Sequence, residues 1–326
     1  MKRREFITLV GGAAVAWPLA VRAQQAGKVP RIGLVYPGPQ TVAPPRVEAL
    51  LSGLRAAGYA APAQVELVLR VADGDPSRIT PLVKEVVAAN VDVFFSTGLA
   101  VLRAVQSVTP TIPIVMLDLE SDPVDSGLVA SLAHPGGSIT GVFLAFPDFA
   151  TKWLQLLKET IPQLSRVAVL WDPSTGTMQK RSVEGAAEAL KVTLQILGVP
   201  RPSDLDEAFD SASRGGASGV LMLSSPVIGG NVQKVAELAI LHHLPAITLF
   251  PDFARAGGLM AYGPSLLGTW RQAGVMIGKV LQGTKPADLP IERPAQFELV
   301  INLKTAKALG LKVPLTLQTS ADEVID

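Results

Sequence analysis

Small polar side chains follow the short apolar runs of this chain, at positions where strands are expected to end. Ser96 and Thr97 stand directly before Gly98 and a helical pattern. The free N–H groups and the dipole at a helix N-terminus attract anions. The pair therefore predicts a site for a carboxylate. The alternative is that one hydroxyl simply caps the helix, and the two roles are compatible.

The other candidate ligand contacts share this position after a predicted strand. They are Tyr36, Asp118 with the stretch 118–122, Trp171, Asp172, Ser225, Asp252 and Tyr262. Tyr36, Trp171 and Tyr262 would supply apolar walls, although Trp171 could equally pack against its own lobe. Asp172 could accept a ligand amino group, but an Asp before Pro173 is also ordinary turn chemistry. Trp153 and Trp270 fall within helical patterns and are predicted to pack in the core or on a lobe surface.

The motifs of the common catalytic and cofactor sites are missing from the sequence. It has no G-x-S-x-G elbow, no G-x-x-x-x-G-K-[ST] loop, and no G-x-G-x-x-G after a strand. Its three histidines, His134, His242 and His243, lack the Cys or spaced acids of a metal site. The sequence thus predicts a binding protein without cofactor or metal. An enzyme using Asp118 or Asp172 as acid or base remains the less favoured alternative.

The N-terminus resembles an export signal of the twin-arginine type. Lys2, Arg3 and Arg4 precede an apolar stretch at 6–21, and Ala23 stands at a suitable cleavage point. A buried N-terminal helix and a retained anchor are the alternatives. We therefore expect a signal peptide at residues 1–23 and a periplasmic mature protein.

Composition narrows the partners of the mature protein. Removing residues 1–23 changes the balance from 29 basic and 28 acidic residues to 25 and 27. The resulting net charge of −2 attracts neither nucleic acid nor an anionic membrane surface. The chain has no Cys, so the fold needs no disulfide and offers no site for a lipid anchor. We expect a monomer that binds a small molecule.

The periodicity predicts two consecutive α/β units. Apolar runs at 31–36, 65–72, 91–95 and 112–119 alternate with helical patterns, and a second series begins after Phe146-Pro147. Runs without alternation indicate strands that are covered on both faces. The expected architecture is two doubly wound parallel-sheet lobes. Ligands bind beyond the carboxyl ends of such strands, so the site is expected between the lobes.

One long stretch carries a family resemblance. Residues 122–142, DPVDSGLVASLAHPGGSITGV, resemble a signature of ABC transporter substrate-binding proteins, the family that includes the tryptophan-binding, TrpX-like proteins. Further similarity lies in Ile32-Gly33, Gly53-Leu54, residues 166–170 and residues 257–263. The resemblance covers essentially the whole mature chain.

The resemblance implies a type I periplasmic-binding-protein fold that encloses its ligand by hinge closure and delivers it to an ABC permease in the inner membrane. It implies chain crossings near Phe146-Pro147, Tyr262-Gly263 and residues 283–286. The lobes would then be 30–146 plus 263–284 and 147–262 plus 285–326.

Relatives that bind amino acids tend to carry hydroxyls where this chain has Ser96 and Thr97. They often have an acid or Asn after the strand that is followed here by Ser224-Ser225-Pro226. This chain has neither at that place, which weakens the case for an α-amino acid as ligand. Asp252 could take the place of the missing acid. The alternative function is a ligand sensor that presents its closed form to a receptor.

Overall fold

The computed structural model describes residues 29–60 and 63–326. The expected signal peptide at 1–23 lies outside the described residues. Within them, the chain forms two α/β lobes, one on a five-stranded sheet and the other on a seven-stranded sheet.

The first lobe is built on an all-parallel sheet with the strand order β2-β1-β3-β4-β5. Its strands are β1 (Arg31–Tyr36), β2 (Glu66–Val71), β3 (Val93–Thr97), β4 (Ile114–Asp118) and β5 (Ile139–Phe143), and its helices are α1 (Ala43–Ala56), α2 (Ile79–Ala88) and α3 (Leu99–Val108). Every residue of β3, β4 and β5 is buried. These strands are covered on both faces, as the apolar runs at β3 and β4 predict.

The second lobe is built on a sheet with the order β12-β11-β10-β9-β8-β6-β7. Its strands are β6 (Arg166–Trp171), β7 (Thr193–Gly198), β8 (Gly219–Met222), β9 (Ala246–Thr248), β10 (Met260–Pro264), β11 (Phe297–Asn302) and β12 (Glu323–Ile325). Its helices are α4 (Phe146–Thr160), α5 (Met178–Leu190), α6 (Leu205–Arg214), α7 (Pro226–Gly230), α8 (Val232–Leu241), α9 (Pro251–Arg255), α11 (Leu303–Ala308) and α12 (Leu315–Ser320), while α10 (Leu266–Leu281) packs on the first lobe. The sheet is parallel except that β11 runs antiparallel to β10.

The stretch 122–142 begins with a turn and contains no helix. The Asp122 Oδ1 accepts the N–H groups of Val124 (2.8 Å) and Asp125 (3.1 Å) in this turn. The stretch instead ends in β5, which the apolar pattern did not reveal. Gly141 interrupts that apolar run, and a Cβ there would lie 2.0 Å from the Met116 carbonyl oxygen.

Within the described residues, three crossings join the lobes. The first lies between β5 and α4, and the second follows β10, whose residues Tyr262 and Gly263 still belong to the second sheet. The third lies after Glu292 rather than at 283–286. The reason is that Glu292 N–H donates to the Gly141 carbonyl (2.8 Å), and its own carbonyl accepts from Phe143 N–H (3.1 Å). Residues 285–292 therefore stay with the first lobe.

Helices α1 and α10 cross at unusually short range because glycines face each other at the contact. A Cβ at Gly53 would lie 1.9 Å from the Arg271 carbonyl oxygen, and one at Gly274 would lie 2.2 Å from that of Leu50. Backbone packs directly against backbone here. The crossing fixes the positions of Arg46 on α1 and Trp270 on α10.

We predict that Gly274→Ala lowers the free energy of unfolding by about 3 kcal/mol, because overpacking at a backbone contact forces the helices apart. Chemical denaturation followed by circular dichroism measures this.

Gly185→Ala is the matched control, since a Cβ at this position in α5 would meet nothing within 4 Å. It should stabilise the protein by about 0.5–1 kcal/mol. Equal stability of the two variants would contradict the assigned role of the crossing.

Candidate ligand-binding site

A cavity lies where the carboxyl ends of the two sheets face each other. Its volume is about 90 Å³, several times what one water needs. The first lobe and α10 provide most of the wall, and the second lobe provides Ser224, Ser225 and Phe250 together with the start of α7. The lobes also touch at one edge, where a Cβ on Gly230 would lie 3.3 Å from Pro39 Cδ. Groups from both lobes therefore line the cavity.

The end of β3 contributes one residue to the wall of this cavity. Thr97 lines the wall, and its Oγ1 has no hydrogen-bond partner among the described residues. The N-cap of α3 is Gly98, with φ of 80° and no side-chain cap, so neither Ser96 nor Thr97 caps the helix. Ser96 is also buried and unpartnered. Because side chains alternate along a strand, Ser96 points to the opposite face and does not line the cavity.

A carboxyl group that sequence analysis did not single out lies beside Thr97. Glu120 lines the cavity and is buried. A Cβ on Gly98 would lie 3.4 Å from Glu120 Oε2. Burial, and then the negative charges of Asp118 and Asp172, raise the pKa of Glu120 to about 8. At neutral pH the carboxyl therefore carries a proton for most of the time.

Asp118 organises the loop that presents Glu120. Its Oδ1 accepts the N–H groups of Glu120 (2.8 Å) and Ser121 (2.9 Å), and its Oδ2 accepts the Ser121 hydroxyl. Burial raises the pKa of Asp118. Its oxygens are occupied by its own loop, and it does not line the cavity.

One wall of the cavity is aromatic. The Tyr36 and Trp270 rings pack edge to face with 5.9 Å between their centres, and the centres of the Trp270 and Phe95 rings lie 5.0 Å apart. The Arg46 guanidinium donates to the Tyr36 hydroxyl and lies 5.4 Å from the centre of its ring. Burial raises the pKa of Tyr36, and the Arg46 charge opposes this rise. The wall is a rigid apolar surface with a cation at its edge.

Ser225 lines the second-lobe side and also caps a helix. Its Oγ accepts the N–H of Ile228 (3.1 Å) at the start of α7. The neighbouring Ser224 is held by Gln179, which bonds both its N–H (2.8 Å) and its carbonyl (2.9 Å). The cavity wall here is fixed by hydrogen bonds within the second lobe.

Two predicted residues at the end of β6 make local contacts. Trp171 donates its indole N–H to the Gly176 carbonyl (2.9 Å), and Lys180 lies over its ring. Asp172 accepts the Ser174 N–H (2.9 Å), which is the turn chemistry that the sequence favoured. Neither lines the cavity, although the charge of Asp172 reaches Glu120.

Asp252 and Tyr262 also lie away from the cavity wall. Asp252 is half-exposed and pairs with Arg255 (3.1 Å). The Tyr262 ring packs at 5.7 Å on Phe149, and its carbonyl accepts the Trp153 indole N–H (2.6 Å). Of the nine predicted residues, the cavity brings together Tyr36, Thr97 and Ser225.

Sequence analysis did not select two wall residues, Arg46 and Trp270. Both are on helices, and no strand-end rule selects them. Glu120 was a candidate only as part of the stretch 118–122, and Phe250 ends a predicted strand. Trp270 was expected to pack in the core or on a lobe surface, and it is buried but also lines the cavity.

The described residues contain neither a membrane-crossing helix nor a group of metal ligands. No helix at 29–60 or 63–326 has the length and apolarity to cross a membrane. No group of three or more His, Cys, Asp or Glu in the same ranges is arranged to hold a metal.

Residues 44–325 match the family model of the ABC transporter substrate binding protein. The chain belongs to this family. The family is defined by substrate binding rather than by catalysis, and its two-lobed α/β fold agrees with the resemblance in the sequence.

Individual relatives of this substrate-binding protein share about a quarter or less of its residues. A tyrosine-binding protein of Clostridioides difficile is 24% identical over 279 residues, 84% of this chain and 77% of that protein. The structure of the ABC domain in complex with L-Trp from Streptococcus pneumonia has a TM-score of 0.84 at 24% identity, covering 91% of this chain and 100% of that one. A ligand-free, open structure of a substrate-binding protein with adhesive properties from Clostridium difficile has a TM-score of 0.67 at 20% identity, covering 91% and 99%.

We predict that the ligand-free protein loses stability as pH rises from about 4.5 to about 8. In this interval the folded state keeps a proton on Glu120, whose pKa is raised from 4.5 to about 8, while the unfolded chain has lost it. Glu120→Gln should remove up to roughly 4 kcal/mol of this decline. Asp118 shifts in the same direction, so a smaller decline should remain. Urea denaturation across this pH range tests the difference, and identical pH slopes for the two proteins would contradict it.

Proposed function

We propose that this protein is an exported monomer that captures a small organic acid with an apolar or aromatic body. The ligand class is an aromatic amino acid or a related carboxylate. The ligand is enclosed between the lobes and handed to an ABC permease of the inner membrane. No catalytic step, cofactor or nucleic acid is involved.

The observation that carries the proposal is that Thr97 lines the cavity and that its buried hydroxyl has no hydrogen-bond partner among the described residues. A buried hydroxyl without a partner costs free energy, which a hydrogen bond to a ligand recovers. It stands one residue before the N-cap of α3, where free N–H groups favour a negatively charged acceptor. The cation of Arg46 in the same wall favours the same charge.

The aromatic wall supports an apolar ligand body. Tyr36 and Trp270 are held by each other and by Phe95, so their faces are ordered before a ligand arrives. A rigid apolar surface loses little entropy on binding a ring. Relatives that bind tyrosine and tryptophan give independent support for this ligand class.

We expect the lobes to close on the ligand because each lobe provides part of the cavity wall. Thr97 and Tyr36 belong to one lobe, and Ser225 and Phe250 belong to the other. A ligand that contacts both groups binds the closed form better than any open form, and this difference drives closure. The three crossings between the lobes would absorb the change in backbone angles.

Export and delivery rest on the N-terminal sequence and on the family. Residues 1–23 have the basic head, apolar middle and Ala23 of a cleavable signal. Substrate-binding proteins of ABC importers act outside the cytosol, which for such a signal means the periplasm.

We expect Thr97→Val to weaken binding about tenfold, because it removes one hydrogen bond without changing the shape of the side chain. Isothermal titration calorimetry measures this with L-tyrosine, L-tryptophan and L-phenylalanine. The melting temperature of the ligand-free variant should stay the same or rise, since a buried unpaired hydroxyl is gone.

Thr248→Val is the matched control, because Thr248 is also buried and unpartnered but does not line the cavity. It should leave affinity unchanged. The proposal fails if none of the aromatic amino acids or their deaminated acids binds at millimolar concentration, and the role of Thr97 fails if both variants bind equally well.

A further inference from the structure

Glu120 is a buried acid in the cavity that the protein itself leaves without a cation. Among the described residues it forms no salt bridge, and the Leu99 N–H at the start of α3 gives it partial support. A buried carboxylate in this position is costly unless an opposite charge joins it. The group most suited to fill this need is a positive charge on the ligand.

We propose that Glu120 binds the amino group of the ligand and thereby makes the site select an α-amino acid over the same acid without its amino group. This inference rests on the proposed function and names its substrate class more narrowly.

Two groups of the cavity wall suit the two charges of an amino acid headgroup. Thr97 and Glu120 both line the cavity, and a Cβ on Gly98, the residue after Thr97, would lie 3.4 Å from Glu120 Oε2. The Glu120 carboxyl group therefore lies beside the end of β3. In an α-amino acid the carboxylate and the ammonium are attached to one carbon, so a ligand whose carboxylate binds at the end of β3 would carry its ammonium close to Glu120.

The charges around Glu120 favour a cation and oppose an anion. Asp118 in the first lobe and Asp172 in the second both act on Glu120 as negative charges. The other charged or titratable side chains of the cavity wall are Arg46 on α1 and Tyr36 on β1, and neither acts on Glu120 strongly enough to appear among the causes of its raised pKa. An ammonium beside Glu120 would reduce the repulsion among three acids. A second carboxylate there would increase it.

The alternative is that protonated Glu120 donates a hydrogen bond to the ligand carboxylate. The two readings predict opposite pH dependence. If the ammonium needs the ionised carboxylate, binding must expel the proton, and affinity rises with pH up to about 8. If the neutral acid is the donor, affinity falls over the same range.

The experiment is calorimetry at pH 6, 7 and 8 with matched pairs: L-tyrosine, L-tryptophan and L-phenylalanine, each against its deaminated propionic acid. For the amino acid, we expect affinity to rise up to about tenfold per pH unit below 8, since only the ionised fraction is competent. At pH 7, titrations in two buffers of different ionisation enthalpy should show release of nearly one proton per ligand. The deaminated acid should bind more weakly and without this rise.

The variant Glu120→Gln keeps the shape and removes the charge. It should weaken amino acid binding at pH 8 by tenfold or more and abolish both the pH dependence and the proton release. Affinity for the deaminated acid should be unchanged or higher. Glu159→Gln makes the same chemical change at an exposed position of α4 and should behave like the unmodified protein.

The outcomes separate the two proposals. Binding of neither member of any pair overturns the proposed function, and this inference falls with it. Equal binding of both members, or affinity that falls as pH rises, overturns the role of Glu120 and leaves the capture of a carboxylate intact. A pH dependence unaltered by Glu120→Gln also overturns it.

Discussion

The lobes meet over polar groups that the protein does not satisfy. Strand ends point into the space between the two sheets, and there the Thr97 hydroxyl is unpaired and the Glu120 carboxyl is crowded by other acids. In a protein core such groups would be a defect, because buried polar groups are almost always paired. In a cavity that closes over a solute, they become the source of affinity. The rest of the structure serves to hold these groups in place and leave them free.

Several local interactions hold the residues of the cavity wall in place. Asp118 uses its own oxygens to fix the loop that carries Glu120. The glycine contact between α1 and α10 sets the distance at which Arg46 and Trp270 reach the cavity. Hydrogen bonds from Gln179 hold Ser224 on the opposite wall. Each of these contacts lies within one lobe, so it stabilises one wall of the cavity without joining the two lobes to each other.

The sequence predicted the two lobes and the strand ends that line the cavity because alternating apolar runs and strand-end polarity are local properties of the chain. It placed Tyr36, Thr97 and Ser225 among the candidates for the same reason. It also selected Trp171, Asp252 and Tyr262, which stand near strand ends but turn toward partners in their own lobe. Arg46 and Trp270 depend on how two helices cross, which no local pattern records. The third chain crossing was misplaced because the hydrogen bonds that hold residues 289–292 on β5 involve partners about 150 positions away.

Movement of the two lobes around a solute is the central claim, and electron–electron double resonance measures it directly. The chain has no native Cys, so spin labels can be attached at Thr80→Cys and Thr177→Cys, two exposed positions on opposite lobes near the cleft. Adding the tightest-binding aromatic amino acid should replace a broad distribution of distances by a shorter and narrower one. Identical distributions with and without saturating ligand would show a single rigid body and contradict the account.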